Sequence, residues 1–381
     1  MKNLFRLQID SNRIFGLDIL RMLAIVFVVL THGGQFIPKD WISIYTAMLF
    51  DGVGIFFILS GFLIGKILID VLEKTDFSSR ELWYFWSKRW SRTLPNYFFF
   101  LLFLLIFFYP QSDVNIYKYF VFTQNINHKP EEFFSWSWSL AIEEWFYLII
   151  ALLIFIFQRL QLFSKKRTIL LSVILVILCS NILRIIYCMN EGFGISVFEN
   201  IKYSLVYRFD TIIYGVLAAY IFYYHREFWE HYKKSFFITA LLLTAIIYIF
   251  GLQYYHEDFR RFSCLAAFTL ISLNVMLYLP YLNAIKGISS GISRPITYVS
   301  LISYSLYLVN SIVQYSLGMT FEFWDAPRDW LMNHYGFNLK WGYIGTFYFI
   351  LFCILSLFWA FLQYKYFEVP TTRFLRKFIK N

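Results

Sequence analysis

Charge is what this 381-residue sequence has little of: Asp, Glu, Lys and Arg together make up 15% of it, against about 25% in a typical soluble domain. That shortage excludes a soluble globular chain. Cysteine is scarce as well. The four present, Cys179, Cys188, Cys264 and Cys353, fall in or beside apolar segments without paired spacing, so neither a disulfide framework nor a cysteine metal site is expected. No small-residue cleavage site follows the first apolar run, so that run is not read as a removed signal. No linker, low-complexity tract, visible repeat or soluble terminal domain interrupts the chain.

What the sequence has in abundance is apolar surface. It is 59% hydrophobic and 23% aromatic, with a mean hydropathy of +0.57. Runs of about 17–25 apolar residues, the length a bilayer demands, lie near 17–34, 46–69, 95–110, 138–158, 168–187, 203–224, 235–252, 262–280, 297–316 and 341–363. The expected fold is an all-α polytopic membrane protein, a bundle of about ten transmembrane helices forming one domain over 1–381. The net charge of +10 follows the same plan. With the N-terminus in the cytoplasm, inner segments hold 22 Lys and Arg and outer segments 8, while Arg21, Lys66, Arg184 and Arg208 fall within spans. That asymmetry places both termini in the cytoplasm. The basic excess is thus a topology signal, and a nucleic-acid partner is not expected.

The first span reads GLDILRMLAIVFVVLTHGG over 16–34. Arg21 and His32 are eleven positions apart, three turns plus about 20°, so they share a helix face. Asp18 sits on the neighbouring edge. The rise between Arg21 and His32 is about 16 Å, roughly half the hydrocarbon thickness. Arg21 could reach the interface along its own side chain. His32 is harder to dismiss, because intramembrane ionisable residues are costly and tend to mark functional cavities.

Further polar stations follow. In the fourth span Glu143 and Glu144 are adjacent, so one is expected to face the bundle and the other the interface. Glu143 lies near the depth of His32, where a carboxylate would orient an imidazole for general-base work; a salt bridge tying two helices is the equal alternative. Arg208 and Asp210, two apart in the sixth span, do not face each other on a helix. Each is expected to meet a partner on another helix, Glu143 being one choice for the arginine, in a structural role. Gly52, Gly54, Ser60, Gly61 and Gly65 in the second span read as close packing. Lys88, Arg89 and Arg92 fall in the loop that precedes Pro95, where Pro95 is placed to open the third span. Positive-inside charge explains them, although an Arg-x-x-Arg pair would also grip phosphate.

Taken in order, these stretches resemble acyltransferase family 3 across nearly the whole chain. The motifs are Arg21 with His32, then GVGIFFILSGFLIG (52–65), KRWSRTLP (88–95), WSLAIEEWFYL (138–148), RFDTIIYGVLAA (208–219), SLISYSLYL (300–308) and YFEVPTTRFLRK (366–377). The resemblance implies transfer of an acyl group, usually acetyl from acetyl-CoA, to hydroxyls of extracytoplasmic carbohydrate or lipid-linked glycan, in a bacterial cytoplasmic membrane. It implies a catalytic pair, His32 and Glu143, with Arg21, Arg89 and Arg92 toward the acyl donor. Asp18, Arg208, Asp210, Tyr304 and Glu368 are expected to support the site structurally. No metal is required. Where many relatives carry a further histidine after YSLYL, this chain has Asn310, which does not exchange protons near neutral pH. Some relatives carry a fused esterase-like domain, so a separate extracytoplasmic partner is expected here. A transporter is the alternative from another class, although no paired broken spans mark two halves.

Overall fold

The computed structural model describes residues 13–108, 114–131, 133–161, 163–252, 254–287, 291, 293–323 and 341–379. The last two positions of the expected span 95–110 lie outside them. Among the described residues there is no strand. The main helices are α1 (Phe15–Gly33), α2 (Lys39–Met48), α3 (Gly52–Lys74) and α4 (Ser79–Phe107). A short α5 (Tyr117–Phe120) precedes α6 (Trp138–Arg159), α7 (Lys165–Glu191), α8 (Ile195–Tyr203) and α9 (Leu205–Tyr224). There follow α10 (Arg226–His231), α11 (Lys233–Ile249), α12 (Arg260–Leu265), α13 (Ala267–Asn283), α14 (Ser293–Phe323), α15 (Trp341–Gln363) and α16 (Val369–Ile379).

Among the described residues, eight helices are long and apolar enough to cross a membrane, nine when one bent pair is counted as a span. The bent pair is Glu257–Leu265 with Ala267–Asn283, turned by 63°, where the sequence predicts a continuous span over 262–280. The expected span 235–252 is the 17-residue α11, which is not among these helices. Apolar side chains such as Ile106, Leu178, Leu242 and Ile354 point outward from their helices, as lipid-facing surfaces require.

Pro95 does not open a helix. It lies inside α4, which begins at a capping box where the Ser78 N–H donates to Glu81 Oε2 at 2.9 Å. That cap satisfies the first-turn donors, so the helix starts well upstream of the proline, and the missing N–H is tolerated within the bundle. In consequence Arg89 and Arg92 are carried on a helix, one turn apart, rather than in a loop.

The tightest seam joins α3 to α9. A Cβ on Gly61 would stand 2.0 Å from the Ile212 carbonyl oxygen, and one on Gly215 would stand 2.2 Å from that of Ile58. Where lipid offers no hydrophobic drive between helices, this backbone approach supplies the packing attraction. Around the seam α1 packs on α3 and α14, α7 on α9, α14 on α15, and α16 against α4. The bundle is thereby held tightly at its centre and leaves space beside α1.

Candidate functional site

Three chambers follow one another along α1. At the end holding Arg13, Arg92 and α16, a basic chamber of about 240 Å³ is lined by Arg13, Arg21, Arg92, Tyr364, Arg373 and Arg376. A middle chamber of about 120 Å³ is lined by Arg21, Arg89, Arg92, Glu143, Tyr147 and Tyr307, among others. A histidine chamber of about 410 Å³ at the far end contains His32, Asp51, Trp136, Tyr203, Tyr307 and Gln314 in its wall. Arg21 and Arg92 line both the first and the second. Val53 and Tyr307 line both the second and the third. The shared helix face of Arg21 and His32, legible from spacing, is the face that borders this series.

His32 stands in the last turn of α1, and its Nδ1 is bonded to Asn310 Oδ1 on α14. The orientation of that amide is fixed independently. Asn310 Nδ2 donates to the carbonyls of Leu306 at 2.7 Å and Tyr307 at 2.8 Å, so Oδ1 is the atom left to face the ring. An amide oxygen only accepts, so Nδ1 carries the proton. Ser311 Oγ, 3.2 Å from the same nitrogen, joins it. The lone pair is therefore on Nε2, the nitrogen free to act as a base. Asn310 serves as the orienting group, a role asparagine also plays in cysteine–histidine–asparagine sites.

Glu143 is not at the ring. Its Oε2 accepts from Tyr147 Oη at 2.8 Å, and Tyr147 Oη is 3.0 Å from Ser60 Oγ. The Arg89 guanidinium lies 5.6 Å from the Tyr147 ring centre. Glu143 belongs to the arginine-rich middle chamber, and Glu144 is buried rather than placed at an interface. The two carboxylates diverge as adjacent helical positions must, yet both stay inside, because α6 packs against α3, α4, α7 and α9.

At the basic end, buried Asp18 is paired with Arg13 and accepts from Ser300 Oγ at 2.7 Å. Arg21 Nη1 lies 3.6 Å from the same carboxylate. Tyr304 donates to the Thr93 carbonyl at 2.8 Å, bracing α14 against α4. Glu368, in a π-helical turn over Tyr364–Glu368, accepts from Asn96 Nδ2 at 3.2 Å and Ser305 Oγ at 2.6 Å.

The expected Arg208–Glu143 pair does not form. Arg208 binds Asp51 instead, and Asp51 also caps α3 by accepting from the Gly54 N–H at 2.9 Å. The guanidinium lies 4.4 Å from the Phe268 ring centre and 5.3 Å from that of Trp138. Asp210 pairs with Arg184 on α7, whose Nε donates to the Tyr207 carbonyl at 2.7 Å. Both ions thus find partners on other helices, as residues two apart must. Asp51, Arg184 and Tyr307 escape a sequence reading. Asp51 has a faint signal, an acid at the start of a glycine-rich helix; Arg184 has one in its place within a span and Tyr307 in the SLISYSLYL stretch, but nothing along the chain says what either meets.

Tyr307 stands at the junction of the middle and histidine chambers. It donates to the Trp136 carbonyl at 2.7 Å and is 2.6 Å from Ser139 Oγ. Both bonds tether the ring to the start of α6. The phenol is fixed as a partition between the arginines and the imidazole.

No curated protein and no solved structure matches the chain. A family model described as an acyltransferase domain matches residues 14–365, and that stretch contains all three chambers apart from Arg13, Glu368 and the α16 residues in the wall of the basic chamber. On that match this chain belongs to acyltransferase family 3 and, with its set of long apolar helices, is a multi-pass membrane acyltransferase.

Proposed function

We propose that the protein moves an acetyl or other short acyl group from cytoplasmic acyl-CoA to a hydroxyl of an extracytoplasmic glycan or lipid-linked saccharide. Its place is a bacterial cytoplasmic membrane, with the basic end inward as the charge asymmetry demands. The observation that carries this reading is the His32–Asn310 contact in the histidine chamber.

Acyl-CoA enters from the basic end, and its thiol arm passes Arg21 and Arg92 into the middle chamber. The thioester reaches His32 past Tyr307. Nε2 takes the proton of the acceptor hydroxyl as its oxygen attacks the thioester carbonyl. The imidazolium then holds protons on both nitrogens, and Nδ1–H remains bonded to Asn310. Collapse of the tetrahedral intermediate breaks the C–S bond, and the Nε2 proton passes to the departing sulfur, giving the ester and free CoA. General-base help of this type contributes about 10²–10⁴-fold. Glu143 works in the donor chamber, where its charge offsets the surrounding guanidiniums and its oxygen holds Tyr147.

Thiol release from acetyl-CoA by purified protein, with and without saccharide acceptors, tests the reaction. His32→Ala is expected to fold and insert normally and to lose acyl transfer. Wild-type levels of acylated product in cells carrying only that variant would refute the assignment.

A further inference from the structure

The histidine chamber carries positive charge that the orientation of the chain does not call for. The outer segments hold only eight Lys and Arg against 22 in the inner ones, because cations are retained on the cytoplasmic side. Two of those eight, Lys129 and Lys202, stand in the same chamber wall as His32. Their ammonium groups lie 5.6 Å and 5.2 Å from the ring centre of Tyr203. The acids nearby are already committed. Asp51 is the one carboxylate in that wall among the described residues, and Arg208 binds it. Glu199, three positions before Lys202 on α8, reaches Lys129 at 3.1 Å instead. Both partners of that pair are about half exposed, so solvent screens it and it holds the lysine weakly. Lys202 lends its carbonyl to Arg208 Nη1 at 2.9 Å and lays its ammonium on the Tyr203 ring. No carboxylate among the described residues pairs with it.

A cation in the last turn suits the C-terminal end of α8. That end would be served equally well by a lysine directed into solvent, whereas Lys202 is half-buried in the chamber wall. The rest of the wall suits a saccharide. Trp136, Trp138 and Tyr203 line it, with Trp138 edge-on to Tyr203 at 5.1 Å. Such rings offer broad apolar faces beside polar edges, which match the C–H faces and hydroxyl rims of a sugar. Its volume of about 410 Å³ falls within the range of about 300–1,000 Å³ usual for small-ligand sites.

We propose that the acceptor is an anionic saccharide, one that bears a carboxylate or phosphate beside the hydroxyl to be acylated. Lys202 binds the anion, Lys129 adds to the local field, and the aromatic rings pack on the sugar. The inference deepens the acyl-transfer reading above and rests on it for the word acceptor. A charge-assisted contact at Lys202 is stronger than a neutral one, so the anion serves as the handle by which one hydroxyl is turned toward His32 Nε2. Neutral saccharides lack that handle. The positive wall also draws anions in from the outer face.

The test measures binding of two matched pairs of probes to the full chain in neutral-lipid nanodiscs, without donor. One pair is a hexasaccharide of alternating glucuronate and N-acetylglucosamine and the same chain with its carboxylates reduced to alcohols. The other is N-acetylglucosamine 1-diphosphate and N-acetylglucosamine. Wild type should bind the anionic member of at least one pair at least tenfold more tightly than its neutral partner. Preference in the first pair names an acidic sugar, and preference in the second names the phosphate of a lipid-linked saccharide; either upholds the proposal. Lys202→Met keeps the length of the stem and should bring that ratio close to one. Lys129→Met, at an exposed position, should lower it less, and a melting temperature near wild type shows that each variant is folded. No binding of either anion, equal binding within both pairs, or a ratio retained in Lys202→Met would overturn the proposal. Thiol release from acetyl-CoA with neutral acceptors alone would leave acyl transfer standing and sink the anionic acceptor. Lys202-dependent anion binding without transfer to any probe would uphold the site and sink the acyl-transfer reading.

Discussion

His32 and Asn310 meet across the α1–α14 interface through Nδ1 and Oδ1, and the asparagine is locked by two carbonyls of its own helix. The ring is thus held in one tautomer by a group that never carries charge. Asn310→Ala should leave insertion intact and lower turnover by about 10²–10⁴-fold, the range general-base help supplies, with little change in donor KM. Nitrogen-labelled histidine should show Nδ1–H in wild type and a tautomer mixture in the variant. Unaltered turnover would remove Asn310 from the site.

Tyr307 divides the donor side from the histidine side, pinned by Ser139 and the Trp136 carbonyl. Tyr307→Ala should open that partition and raise acceptor-independent hydrolysis of acetyl-CoA severalfold. Tyr307→Phe keeps the ring and should leak less. Thiol release in the absence of saccharide measures both, and no rise in either would show that the ring does not separate the chambers.

The middle chamber sets Arg89 and Arg92 around one space with Arg21. Replacing both by alanine should weaken acyl-CoA binding far more than acceptor binding. Calorimetry on the purified variant reads the difference. Retained donor affinity would take the pair out of the donor path.

The Arg184–Asp210 pair is buried and hydrogen-bonded from several helices. Arg184→Ala should destabilise the bundle by about 3–5 kcal/mol, because it strands a buried carboxylate. Arg184→Met with Asp210→Leu removes both charges and should recover much of that loss. Thermal unfolding in detergent distinguishes this structural role from a catalytic one, which the double change could not rescue.

At the α3–α9 seam the space for a side chain on Gly61 is already taken by the Ile212 carbonyl. Gly61→Val should force the helices apart and cost about 1–3 kcal/mol, the usual penalty of overpacking. A melting temperature equal to wild type would show that the seam can yield.

The readable parts of the sequence were those governed by local rules. Apolar runs long enough for a bilayer marked the helices, and a period near 3.6 put Arg21 and His32 on one face. Small residues at Gly61 and Gly65 marked a close seam. Boundaries were harder. Pro95 reads as a helix start until the capping box at Ser78 and Glu81 is seen to have begun the helix already. Partners were hardest: Glu143 and Arg208 look matched by depth, but depth does not say which helices are neighbours. Asp51 and Tyr147 were the closer groups.

By itself the sequence determined that this chain is a helical membrane bundle with ionisable groups inside it, because hydropathy, periodicity and charge bias act within one segment at a time. Only the tertiary structure decided that His32 is oriented by an asparagine, that Glu143 belongs with the arginines, and that Arg13 and α16 line one basic chamber. Those relationships join residues on different helices. In a bilayer, close packing and hydrogen bonding between helices choose the neighbours, and no periodicity along the chain encodes that choice.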